Sequence, residues 1–204
     1  VTTADGADPA KRRQILDGAR QVFRARGFDG ASMGDIAKAA GVSKGTLYVY
    51  FDSKEALFAA LLTLDRRIQA EALFQLDATD PDVHRVLRRL GIDYLELMVR
   101  PEHVANVRMV IGVAEKFPDV GRAFYRAGPE RGQNLLSAYL DAQVAAGRLR
   151  IADTGWAARH FLDLCQAGTL RRLLLCGGPT PDRTQQEQQI TEALRVFFAA
   201  YGPE

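Results

Sequence analysis

Residues 32–51, SMGDIAKAAGVSKGTLYVYF, constrain the fold more tightly than any other part of the chain. Ile36 and Ala37 lie on one face of a short amphipathic helix that closes at Ala40, and a turn residue, Gly41, follows. Helices commonly end in a left-handed residue, a backbone state that a side chain disfavours and glycine tolerates. Val42 plugs the corner, and a second short helix begins at Ser43 with Leu47 as its apolar anchor. Two helices crossing at about 90–120° leave little room where they touch, which suits the small Ala37. This is the layout of a helix-turn-helix.

The residues left facing outward fit a phosphate-lined groove. Lys44 carries charge, Ser43 and Thr46 carry hydroxyls, Gly45 permits close backbone approach, and Tyr48 and Tyr50 offer flat rings with a polar tip. Such groups position a protein on a duplex. Charge distribution supports the same expectation. Between Pro9 and Lys54 there are nine Lys/Arg against four Asp, although the whole chain of 204 residues has a net charge of only +2. A basic head on a slightly acidic remainder is the footprint of a DNA reader with a separate second function.

Elsewhere the apolar residues follow the helical period and no sustained strand alternation occurs, so the expectation is an all-α protein of about nine helices. The first spans Pro9 to Arg26 and stops at Gly27; the fourth starts at Asp52 or Ser53 with an Asp52/Glu55 box. Pro81 opens a fifth, a sixth runs to Phe117-Pro118, and residues 124–129 interrupt the chain before a seventh ends at Gly147. The eighth runs from Asp153 to Gly177, and the ninth carries Ile190, Leu194, Phe197, Phe198 and Tyr201. The expected division is a three-helix DNA-binding head, 9–54, and a larger body, 55–204, for ligand binding and dimerisation. Cys165 and Cys176 lie eleven residues apart on the expected eighth helix. At 1.5 Å rise per residue that separates them by about 16 Å, too far for a disulfide, so both read as buried thiols in a reducing compartment. No apolar run is long enough to span a membrane. The stretch VTTADGADPAKRR lacks a signal-like apolar segment and reads as a short disordered arm, and the expected location is cytoplasmic.

The segment FRARGFDGASMGDIAKAAGVSKGTLYVYFDSKEALF, Phe23 to Phe58, resembles the tetracycline-repressor (TetR) family of bacterial transcriptional regulators. RMVIGVAEKFPDVGRAFYRAGPER, 108–131, with Gly147-Arg148-Leu149, is similar to the AefR-like C-terminal domain. The resemblance implies a two-domain helical homodimer that binds double-stranded DNA at a palindromic operator and releases it when a small molecule fills a pocket in the body. It implies roles for Ser32 as a cap against a phosphate, for Ser43, Lys44, Gly45 and Thr46 at the groove, for Tyr48 and Tyr50 as aromatic contacts, and for Lys54 as a phosphate lysine. Family members often carry an aromatic pair where this chain has Tyr48-Val49-Tyr50. Val49 has no hydrogen bond to give but can meet a thymine methyl.

Candidate effector-lining residues are Leu64, Ile68, Met98, Met109, Phe117, Phe124, Tyr125, Phe161 and Cys165, a mix suited to an apolar or aromatic compound. The dimer surface is expected on the last two helices, through Phe161, Leu164, Gly168, Ile190, Leu194, Phe197 and Phe198. No cofactor or metal is implied. His84, His103 and His160 fall on separate segments, and no phosphate loop or nucleophile elbow follows a strand, so catalysis is not expected. A regulator without a ligand switch, constitutive or activating, is the alternative that the residues leave open.

Overall fold

The computed structural model describes residues 8–203, so the first seven residues of the expected disordered arm lie outside the described residues. Residues 9–13 of that arm are helical. Among the described residues there are eleven α-helices and no strand. They are α1 (Pro9–Gly30), α2 (Met33–Ala39), α3 (Lys44–Tyr50), α4 (Lys54–Leu73), α5 (Val83–Val99) and α6 (Pro101–Ala114). Then follow α7 (Pro118–Tyr125), α8 (Arg131–Ala145), α9 (Thr154–Gln166), α10 (Thr169–Cys176) and α11 (Arg183–Tyr201). None of them is long and apolar enough to cross a membrane.

The chain packs as two compact units. Among the described residues, the first comprises 8–67 and 109–127; the second comprises 68–108 and 128–203. The boundary therefore lies beyond the expected 54/55, for a physical reason. Leu57, Phe58, Leu61 and Leu62 of α4, together with Val110, Val113 and Val120, are buried with the helix-turn-helix residues in one core. At its centre the Phe58 ring lies 4.8 Å from that of Phe23 and 5.1 Å from that of Phe28. The helical run of α1 breaks at Gly27, whose φ of 69° and ψ of −178° are open to glycine. The turn beyond it brings Phe28 back onto that core.

The second unit buries Leu87, Leu90 and Leu95 of α5, Leu136 and Leu140 of α8, Phe161 of α9 and Phe197 of α11. Each such side chain contributes roughly 1.5–3 kcal/mol relative to exposure. Gly91 lets α5 sit close: a carbon added there would meet Ile190 Cγ2 at 3.0 Å and Cys165 Sγ at 3.2 Å.

Of the two starts expected for α4 the structure takes Ser53, whose Oγ accepts from the Ala56 amide at 3.1 Å. Two other boundaries differ from expectation. Residues 124–129 do not interrupt the helical path; α7 passes into α8 through a π-turn, Arg126–Glu130, that contains Pro129. A wider turn accommodates a residue with no amide hydrogen. The expected eighth helix is two helices, split where Ala167 (φ 37°) and Gly168 (φ 84°) both adopt left-handed backbone. Cys165 and Cys176 therefore sit on different helices, and only Cys165 is buried. Burial pushes its thiol pKa up.

Ala167 is exposed and is the one described non-glycine residue with positive φ. Left-handed backbone costs a side-chain-bearing residue roughly 1–2 kcal/mol. Ala167→Gly should therefore leave stability unchanged or raise it by up to about 1 kcal/mol, offset by the added freedom of the unfolded chain. A denaturant midpoint lowered by the substitution would contradict this.

Candidate nucleic-acid interface

The first unit builds the helix-turn-helix from capped short helices. The Ser32 Oγ accepts from the Asp35 amide at 3.1 Å, starting α2, and donates to the Asp35 carboxylate at 2.6 Å. That hydroxyl, with Arg26 at 2.9 Å, holds the Asp35 carboxyl below its ordinary pKa. The turn itself places Gly41 at φ 64°. Ser43 caps α3 by accepting from the Thr46 amide at 3.0 Å, and its Oγ lies 2.8 Å from the Thr46 hydroxyl.

The faces of α3 then divide sharply. Leu47 is fully buried, whereas Tyr48 is 49% and Val49 67% exposed. Lys44 and Gly45 are exposed; Thr46 and Tyr50 are half-buried. Tyr50 packs against the head core. The Lys44 side chain lies over Gly34. A carbon added to Gly34 would stand 3.2 Å from the Lys44 ammonium and 3.7 Å from the Ser32 hydroxyl, so these two groups approach one corner of the surface.

Lys54 is placed differently from a freely projecting phosphate lysine. Its ammonium donates to the carbonyls of Phe28 at 2.7 Å and Ala31 at 3.1 Å and lies 4.4 Å from the Phe28 ring centre. It ties the start of α4 to the end of α1. Sequence reasoning also missed the joint between α1 and the turn. Gly18 faces Ala40, and Gln14 Nε2 donates to the Ala40 carbonyl at 2.6 Å. The available signal was a glycine inside a helix, which costs about 1 kcal/mol against alanine and so implies a packing reason. Arg20 is held by Asp65 at 2.6 Å.

The nine candidate effector residues are divided between the two units. Phe161 and Cys165 are fully buried core residues, while Ile68 and Tyr125 are 55% and 54% exposed. Leu64, Met109, Phe117 and Phe124 are half-buried against the head core, with the Arg66 guanidinium 4.6 Å from the Phe124 ring centre. Met98 is half-buried on α5. An open groove of about 700 Å³ does lie along α4 and α5 in the second unit. It includes Arg85, Arg89, Asp93, Glu96 and Arg100 and none of the nine candidates.

The expected dimer residues also need correction. Phe161, Ile190, Leu194 and Phe197 are at most 2% exposed within their own subunit, because α9 and α11 pack on each other and on α5. Leu164, Gly168 and Phe198 are half-buried. The large apolar residues exposed on α9, α10 and α11 are Trp156, Leu175 and Val196.

Comparison with known proteins agrees with this architecture. Residues 15–61 match the tetR family of bacterial regulatory proteins, and residues 85–203 match the AefR-like transcriptional repressor C-terminal domain. The chain is 32% identical over 189 residues to the HTH-type transcriptional repressor Rv1474c of Mycobacterium tuberculosis, covering 90% of this chain and 91% of that one. A TetR-family regulator from Mesorhizobium loti superposes with a TM-score of 0.87 at 26% identity, over 95% of this chain and 97% of that one. The flavonoid-responsive regulator FrrA superposes with a TM-score of 0.80 at 34% identity, over 97% of this chain and all of that one. These relatives are regulators rather than enzymes. With a DNA-reading head matched at its N-terminal end and a repressor-type body matched over most of the rest, this chain belongs to the TetR family of bacterial transcriptional regulators.

Proposed function

We propose that this regulator is a repressor that binds a palindromic operator as a homodimer and leaves it when a small apolar or aromatic effector binds the body. The observation that carries the reading is the division of α3, with Leu47 locked in the core while Lys44, Gly45, Tyr48 and Val49 are presented to solvent. Helix α3 has seven residues, so one head reads few base pairs. Two heads on one dimer turn two weak contacts into one strong one by effective concentration.

The outer faces of α9 and α11 suit such a pairing. They carry Trp156 and Val196, with the small, exposed Ala199 and Ala200 beside Val196, and a matching pair from a second copy would complete a four-helix bundle. An aromatic effector is supported by the flavonoid response in the name of FrrA, which aligns with nearly the whole chain. A coupling of roughly 1–3 kcal/mol between effector and DNA would weaken operator binding about five- to 150-fold.

The test is gel retardation on duplex taken from the region upstream of the protein's own gene. Affinity should fall by roughly 10³ or more between about 50 and 200 mM salt if six or more phosphates are neutralised. Replacing Lys44 and Tyr48 together by Ala should lower affinity about 100-fold without changing the melting temperature, since both side chains are exposed. Retention unaffected by the double substitution would sink the assignment of α3.

A further inference from the structure

We infer that the centre of the reading face recognises thymine through its methyl group, with Val49 as the specificity-determining residue and Lys44 serving the phosphate backbone. The inference rests on the DNA-reading proposed above and deepens it. At roughly 100° per residue, Gly45 and Val49 lie about 160° and 200° round the helix from Leu47. Leu47 is fully buried, so these two residues, one helical turn apart, form the strip pointing most directly away from the core. That strip carries no side-chain hydrogen-bonding group. Gly45 contributes only backbone, and a carbon added there would meet, beyond its own helical backbone and chain neighbours, nothing closer than the Ser43 hydroxyl at 3.7 Å. Val49 contributes two methyl groups at 67% exposure, an apolar surface without a partner inside the subunit.

Tyr48 flanks this strip at 49% exposure, about 100° round the helix from Leu47, whereas the other polar side chains nearby are turned elsewhere. The Lys44 ammonium lies back over Gly34 toward Ser32, the Ser43 and Thr46 hydroxyls lie 2.8 Å apart, and Tyr50 packs against the head core. In the major groove the one apolar feature among the four base-pair patterns is the thymine C5-methyl. A bare glycine followed one turn later by an exposed valine lets the helix approach closely and then offers the surface such a methyl would bury against. Hydrogen-bonded readout at the centre would require a side chain that this strip does not have.

The experiment begins with duplexes that the wild-type dimer enriches from a randomised library. Each thymine of an enriched duplex is replaced in turn by deoxyuridine, which keeps every base-pairing group and removes only the methyl. At one position or one adjacent pair in each half-site, wild-type affinity should fall about fourfold, and about fifteenfold with both half-sites substituted. Val49→Ala, altered at an exposed position, should bind the thymine and uracil duplexes with equal affinity. That double-substitution cycle separates a methyl contact from any change in duplex stiffness. Lys44→Ala should weaken binding to enriched and random duplexes by the same factor and leave the uracil effect intact. Enriched duplexes with no uracil-sensitive position, or with one that persists in Val49→Ala, would overturn the inference while leaving DNA binding in place. Enrichment of no duplex at all would overturn the DNA-reading, and this inference with it.

Discussion

Gly18→Val is expected to lose operator binding at 25 °C and to lower the melting transition of the first unit by about 15 °C, taking roughly 3 kcal/mol for a unit of this size. The cause is local. A carbon attached at Gly18 would stand 2.6 Å from the Ala40 nitrogen and 2.7 Å from its Cα and Cβ, distances at which something must move. Two of those atoms are backbone, and the same residue is held by the 2.6 Å hydrogen bond from Gln14. Overpacking a fitted site costs about 1–3 kcal/mol when side chains can yield and more when they cannot. Valine recovers only a few tenths in helix propensity over glycine. Ala40 ends α2 immediately before the turn, so any shift there changes the angle at which α3 is presented. The measurement is a thermal melt beside gel retardation; a substituted protein with wild-type melting and binding would show that α1 does not seat the turn.

Phe161→Ala is expected to destabilise the second unit by about 3–5 kcal/mol, independently of protein concentration and of added effector. Phe161 is fully buried and meets Phe197 edge-on with ring centres 5.4 Å apart. The void left behind is lined by side chains of α5, α9 and α11 that cannot all relax. Trp156→Ala on the same helix removes a larger ring that is 55% exposed, and in the isolated subunit it should cost far less. Denaturant unfolding over a hundredfold range of protein concentration separates the two. If the Phe161 effect shrinks as concentration rises, the ring contributes to association between copies and its placement inside one subunit is wrong.

The contrast between these residues shows what the amino-acid pattern could convey. The helix-turn-helix was legible because its signals are local. Ser32 and Ser43 cap the helices they precede, Gly41 takes the left-handed turn, and Leu47 is the buried apolar anchor of α3. The apolar stripes of α9 and α11 were equally visible, but a stripe states only that a face is buried. Whether it is buried against its own subunit or against a second copy depends on helices distant in the chain. Here α5 and the packing of α9 on α11 cover Phe161, Ile190, Leu194 and Phe197. The split at Ala167 was hidden for a different reason: alanine is a strong helix former, so its identity gives no sign of the left-handed backbone it adopts. Lys54 was ambiguous because an ammonium beside two carbonyls at a helix end can donate to them as readily as it would to a phosphate.

The most direct test of the whole account is a hydroxyl-radical footprint combined with a mass measurement of the complex on an enriched duplex. A dimer reading a palindrome gives an even number of protomers and protection on both sides of a two-fold axis. The paired protected segments should face two major grooves about 34–36 Å apart or a multiple of that spacing. A single protomer bound to one unpaired half-site, or no protection of any duplex in dilute buffer, would contradict it.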